Sequence, residues 1–275
     1  MTATQVERAF LRTPHGLIHY RYTPAPTAPR SLPLVLAHGG PGSSAGLAPL
    51  MADLGAGRLV VAPDMMGNGE SDAPPGPTTI AFYAEGLLAV MDHLGLETAD
   101  LYGHHTGSQV VTELAIAHPG RVRRLVLDGV ALFSPEERET FRVRYAPPLQ
   151  PDADGGHLAW LWDFMGQLTQ HFPHYLQDAA HRIEGGAPPP PPVLTDRMAE
   201  VLKVWSTYHL SYQAAFQQDL ARRLPLVRAK ALVLAVERDP LASFAEAAAA
   251  LLPDARVQRT LREDRASVLR SFLDD

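Results

Sequence analysis

The chain has 275 residues, no cysteine and a formal net charge of -6, with a pI near 6.0. The length suits one large domain, or a domain carrying an inserted subdomain. The charge gives no electrostatic case for nucleic acid, and the absence of cysteine excludes disulfides, thiolate nucleophiles and Cys-based metal sites.

The N-terminal stretch, residues 1–30, lacks an apolar core of signal-peptide length. No apolar run approaches the roughly 18 residues of a membrane helix. The sequence therefore reads as a cytoplasmic protein with no membrane partner. The first elements form a hairpin, "VERAFLRT" and "GLIHYRY", around the turn Pro14-His15-Gly16. Alternation sets Ile18, Tyr20 and Tyr22 on one face and His19 and Arg21 on the other, so His19 is expected in solvent.

Short apolar runs without alternation follow at 32–37, 58–63, 99–103, 123–130 and 229–236. Such runs suit strands buried on both faces, as in a parallel sheet. Helical patterns at 78–96 and 107–120 flank the 99–103 strand, and this alternation is the mark of an α/β fold. The rhythm breaks over 131–228, which reads as helices only, at 134–145, 157–172, 174–183, 194–205 and 207–224. Ser134 and Glu137 form a capping box there. Five prolines, 188–192, are expected as a short extended strut between two helices. The division is thus an α/β core from 1–130 and 229–275 with a helical cap over 131–228.

Three loops carry chemistry. The first strand of the apolar series ends in His38-Gly39-Gly40-Pro41-Gly42, the next in "APDMMGNGESD" (62–72) and the third in Gly103-His104-His105-Thr106-Gly107. The last has the layout of a nucleophile elbow, a sharp strand-to-helix turn that lifts one side chain out of the fold, here His105. These segments at this spacing resemble the α/β-hydrolase superfamily, and the His-Gly-Gly-Pro-Gly form resembles its proline iminopeptidase-like branch. The resemblance implies an α/β-hydrolase fold, a mostly parallel eight-stranded sheet flanked by helices, with an α-helical cap. It also implies an oxyanion hole from the backbone N–H groups of Gly40 and Thr106, and a triad acid at Asp239 in "LVLAVERDP". Asp128 is the runner-up acid, with a structural role expected. Asp64, Glu70 and Asp72 read as turn chemistry.

Two departures from that pattern stand together. The elbow holds His105 in place of serine. The family's histidine, expected in a loop after the last strand, is also missing, because "ARVQRTL" passes almost directly into "DRASVLRSFLDD" with Arg262, Glu263 and Asp264 at the junction. His105 is then expected to bond Asp239 and act as a general base beside the oxyanion donors. No metal is expected, because His104 and His105 should leave the strand on opposite sides. His104 is expected to pack behind the elbow. Among Trp160, Trp162, Phe164, Trp205, Tyr208, Tyr212 and Phe216, two or three are expected to face a substrate cavity.

The leading expectation is a cofactor-independent, lyase-type enzyme acting on a small carbonyl-containing metabolite by elimination, decarboxylation or carbon–carbon cleavage. The superfamily contains lyases, so such a departure has precedent in kind. Two alternatives stand beside it: a catalytically inactive hydrolase-like binding protein, and an atypical hydrolase without a serine nucleophile.

Overall fold

A computed structural model describes residues 4–27 and 29–275. Eight strands form one sheet: β1 (Glu7–Thr13), β2 (Gly16–Tyr22), β3 (Leu34–Ala37), β4 (Val60–Pro63), β5 (Ala99–His104), β6 (Val122–Asp128), β7 (Lys230–Val236) and β8 (Ala255–Thr260). Their order is β1-β2-β4-β3-β5-β6-β7-β8. Strand β2 runs antiparallel to both neighbours, and the pairs from β4 to β8 are parallel. The helices are α1 (Ala48–Leu54), α2 (Ile80–His93), α3 (Thr106–Ala117), α4 (Pro135–Arg144), α5 (Gly156–Gln167), α6 (Pro191–Lys203), α7 (Tyr208–Gln217), α8 (Leu220–Arg223), α9 (Ala245–Leu251) and α10 (Arg265–Asp274).

The continuous apolar runs have a direct physical cause. On β3, Val35 and Ala37 belong to the apolar cluster on the face covered by α2 and α3, while Leu34 and Leu36 belong to the cluster on the other face, with residues of α1 and α10. Side chains alternate between faces, and both faces are covered, so no polar position is needed. Fully burying one such side chain contributes about 1.5–3 kcal/mol. Between β6 and β7 the described residues form helices, with the isolated His171–Arg182 bridge as the exception. These helices share an aromatic cluster of their own, including Phe141, Tyr145, Phe164, Tyr208 and Phe216.

Four local expectations are corrected. His19 is 1% exposed, and its Nδ1 lies 2.7 Å from Asp64 Oδ2. The loop after β4 runs along β2 and covers it: Ser71 Oγ accepts from His19 N, and Asp72 N donates to Leu17 O. The stretch 174–183 is not an α-helix. The Asp178 carboxylate accepts from Ala180 N and His181 N and starts a tight turn at Ala179–His181. The proline run splits, because Pro191 and Pro192 open α6, where a missing N–H costs nothing. The 207–224 segment is two helices, and Asp219 caps the second by accepting from Arg222 N.

Candidate active site

The turn after β5 is built around two glycines. A Cβ on Gly103 would lie 2.3 Å from Gly107 O, and one on Gly107 would lie 2.2 Å from Ala37 O. No other residue fits either position without moving backbone. Between them His105 adopts φ 49° and ψ -113°, with its N–H donating to Asp128 O at 2.8 Å. A non-glycine residue held there costs about 1–3 kcal/mol, and such strain clusters at functional sites. Helix α3 begins at the next residue, Thr106.

The elbow brings His105 to Asp239, which follows β7. Nε2 of His105 lies 2.7 Å from Asp239 Oδ2, and Asp239 Oδ1 accepts from Leu241 N at 2.9 Å. Both carboxylate oxygens are therefore engaged, and the acid side chain is 4% exposed against 31% for the imidazole. Gly129, at φ +76°, lies under the ring: a Cβ there would be 2.2 Å from Cδ2 and 2.7 Å from Nε2 of His105. The opposite edge, carrying Nδ1, has no hydrogen-bond partner among the described residues.

Burial pushes the His105 pKa down, but the charge and hydrogen bond of Asp239 outweigh it, and the net shift is upward. Burial likewise opposes the charged form of Asp239, yet the neighbouring imidazolium holds its carboxyl well below the usual range. With Asp239 ionised, a neutral His105 carries its proton on Nε2 and offers a lone pair at Nδ1.

His104 does not pack behind the elbow. Its ring stacks on that of His105, with centroids 4.0 Å apart and planes 15° from parallel. The positive φ at His105 breaks the alternation of the strand and turns both rings to one side. Burial, with the charge of His105 second, lowers the His104 pKa to about 3, so it is neutral. His104, His105 and Asp239 come within 4.8 Å of one another through their ligand atoms. Distance alone would admit an ion, but ring lone pairs lie in the ring planes, and in a stack they run side by side rather than converging. His105 Nε2 is also already committed to Asp239. The donor set fits a hydrogen-bonded dyad better than a metal.

A cavity of about 1210 Å³ opens over this pair, and Gly40, Thr106, His104, His105 and Asp239 all line it. The loop before it is held from behind. His38 Nε2 accepts from Met65 N at 3.0 Å, so its Nδ1 donates to Gly39 O, also at 3.0 Å. Burial keeps His38 neutral, which that arrangement requires. The hydroxyl of Tyr212, on α7, donates to Gly40 O at 2.7 Å and seats the helical segment on the glycine loop.

Of the seven aromatics singled out in the sequence, Tyr212 and Phe216 line the cavity, while the other five do not. Phe133, Tyr145 and Phe172 line it without having been picked out. Phe133 sits just past β6, where parallel-sheet sites gather, and that position was the available signal. Asp128 is buried and its carboxylate accepts from Tyr102 Oη and from Arg265 Nη1 at 3.0 Å, with no hydrogen bond to the His105 ring. Asp64, Glu70 and Asp72 line no part of this cavity. Asp64 accepts from Ser44 N and Glu70 N as well as His19, Glu70 pairs with Lys203 at 2.6 Å, and Asp72 accepts from Leu17 N. Strand β8 reaches α10 through four residues, 261–264, with no longer loop between them.

Comparison with known proteins agrees with this architecture. The family model described as alpha/beta hydrolase fold matches residues 33–262. A 2-hydroxymuconate semialdehyde hydrolase of Pseudomonas sp. (strain CF600) is 42% identical over 103 residues, 36% of this chain and 36% of that protein. A Caulobacter vibrioides protein with the provisional name carbamate hydrolase RutD is 36% identical over 142 residues, 50% of this chain and 52% of its own length. The matched stretches thus span about half or less of these relatives. An enol-lactonase from Burkholderia xenovorans LB400 superposes with a TM-score of 0.74 at 20% identity, covering 97% of this chain and 100% of that one. Sheet order, elbow and family match lead to one assignment: the chain belongs to the α/β-hydrolase fold family.

Proposed function

We propose that this chain is an enzyme in which His105, oriented by Asp239, moves a proton on a small carbonyl-containing metabolite without a cofactor. The observation that carries the reading is the divided imidazole: Nε2 is fixed on Asp239 at 2.7 Å, Nδ1 has no hydrogen-bond partner among the described residues, and His105 lines the cavity. Above its raised pKa the ring accepts a proton at Nδ1, and below it the same atom donates one. The Gly40 and Thr106 N–H groups serve as donors to the enolate oxygen that forms when a C–H beside a carbonyl is removed.

Magnitudes favour an activated substrate. A positioned base contributes roughly 10²–10⁴ and one oxyanion donor roughly 10²–10³. Their product is near the low end of enzymatic acceleration. It suits proton removal that leads to elimination or carbon–carbon cleavage, or protonation of the enolate left when CO2 departs, and is small for amide hydrolysis.

A second reading is favoured by the names of the relatives, which are hydrolases. In it the same Nδ1 takes a proton from water, and the water adds to the carbonyl. One experiment serves both. Turnover of a panel of 2-oxo acids and 1,5-dicarbonyl compounds is followed by NMR in D2O and by mass spectrometry in ¹⁸O-water. Decarboxylation or carbon–carbon cleavage brings deuterium into the product without ¹⁸O, elimination gives an unsaturated product with neither label and a released leaving group, and hydrolysis brings ¹⁸O into a carboxylate. His105→Gln should lower either by about 10²–10⁴. Unchanged turnover in that variant removes His105 from both mechanisms, and binding without any turnover in the native chain leaves a binding protein.

A further inference from the structure

The helical segment between β6 and β7 holds three buried tyrosines, and two of them have committed their hydroxyls. Tyr208 Oη donates to Pro147 O, and Tyr212 Oη donates to Gly40 O at 2.7 Å. Tyr145, directly after α4, is 9% exposed, and its hydroxyl makes no hydrogen bond among the described residues. Nor is that oxygen one of the unpartnered atoms closed off from solvent. A buried tyrosine ordinarily finds a partner for its hydroxyl. Tyr145 lines the cavity, so the cavity is the space its hydroxyl opens on.

The phenol is held in place without a ligand. Tyr145 N donates to Phe141 O at 2.8 Å, and the buried His174 donates from Nε2 to Tyr145 O at 2.7 Å. The ring stands edge-on to that of His174 with centroids 4.9 Å apart, and packs 5.3 Å from Tyr212 and 5.4 Å from Phe216. Tyr212 is seated on the glycine loop, so the ring with the free hydroxyl lies one ring away from Gly40. Burial lowers the His174 pKa, so it too is neutral. Burial, with the charge of Asp239 second, pushes the Tyr145 phenol up, and the hydroxyl stays protonated. An anionic oxygen would meet no positive charge among these rings, and an apolar group would leave the hydroxyl without a partner. A neutral oxygen acceptor satisfies both conditions.

We infer that Tyr145 is a specificity-determining residue whose hydroxyl donates to a neutral carbonyl oxygen of the substrate. The apolar body of that substrate lies in the part of the cavity lined by Phe133, Met165, Phe172 and Phe216. This deepens the proposed function by adding a substrate contact from the helical segment, and rests on the cavity being the substrate site. It does not depend on the proton chemistry of His105.

The test is calorimetry and infrared spectroscopy of the full chain with acetophenone, ¹³C-labelled at the carbonyl, and with its isosteric hydrocarbon α-methylstyrene. Tyr145→Phe keeps the ring and removes only the hydroxyl. It should weaken acetophenone binding about tenfold, leave α-methylstyrene binding unchanged and move the bound carbonyl band to higher wavenumber. The thermal midpoint should not change, because the hydroxyl bonds nothing within the fold. The same substitution should have the same effect in a His105→Gln background, which separates this contact from the proton-transfer reading. No binding of acetophenone, equal weakening of both probes, an unmoved carbonyl band, a lowered midpoint or loss of the effect in the His105→Gln background each overturns the proposal. So does benzoate binding tighter than acetophenone by a margin that Tyr145→Phe removes.

Discussion

His104 and His105 are neighbours in the chain, yet their rings lie stacked on the same side of the sheet, 4.0 Å apart, and only one of them is in contact with a carboxylate. The pair is electrically unequal for that reason. Asp239 favours the charged form of His105, and that charge together with burial keeps His104 neutral. A proton on the site therefore resides on the ring that faces Asp239.

This inequality sets a pH dependence. The base form of His105 is deprotonated, and its pKa lies above the ordinary 6.5, so kcat/KM should rise with pH through a limb above 6.5. Asp239→Asn removes the raising charge and leaves burial, so the limb should fall below 6.5. The sign for stability is opposite: the imidazolium–carboxylate pair stabilises fully below the unfolded value and loses its contribution as pH rises through the folded one. Titration of the His105 ring by NMR reads both without a substrate. An identical midpoint in the native chain and the Asn variant would show that Asp239 does not govern the ring.

Gly129 gives a second prediction. Its φ of +76° disfavours any side chain, and a Cβ would enter the space of the His105 ring at 2.2 Å. Gly129→Ala should destabilise by roughly 1–2 kcal/mol through its backbone alone. It should also cut turnover about 10²-fold by displacing the imidazole on the order of 1 Å. Urea unfolding and kcat measured together separate the two effects. Full turnover in a folded Ala variant would mean that the observed ring position is not the working one.

Asp64 and His19 form the buried pair that the sequence did not reveal. Burial would raise the Asp64 pKa, but hydrogen bonds from His19, Glu70 N and Ser44 N outweigh it and hold it at about 2. Its stabilisation is present above the unfolded value near 3.8 and is lost as pH falls through about 2. Asp64→Asn should lower stability at pH 7 by roughly 2 kcal/mol or more and flatten acid unfolding over that window. Denaturant midpoints at pH 7, 4 and 2.5 report it, and an unchanged acid profile would contradict the assigned role.

Strands β3 to β7 were legible because their apolar runs follow from burial on two faces, a local property. Gly40, Thr106, His105 and Asp239 were legible because each lies at a strand end inside a short loop. What covers a face is not local. His19 read as solvent-facing because alternation tells the face of β2 but not that residues 64–72 will lie over it. His104 read as pointing away because alternation fails at one strained residue, and that strain arises from the glycines around it.

The divided imidazole also limits the kinetic course open to this site. In a serine-dependent relative one residue forms a bond to the substrate while another, on a separate loop, remains free to activate the water that releases it. In the proposed function one ring holds both positions, with Nε2 on Asp239 at 2.7 Å and Nδ1 serving the substrate. A bond formed at Nδ1 would occupy the atom that the proposed reaction uses as its base. Under the proposed function turnover is therefore expected to have no covalent stage, with a time course that begins at the steady rate without a burst.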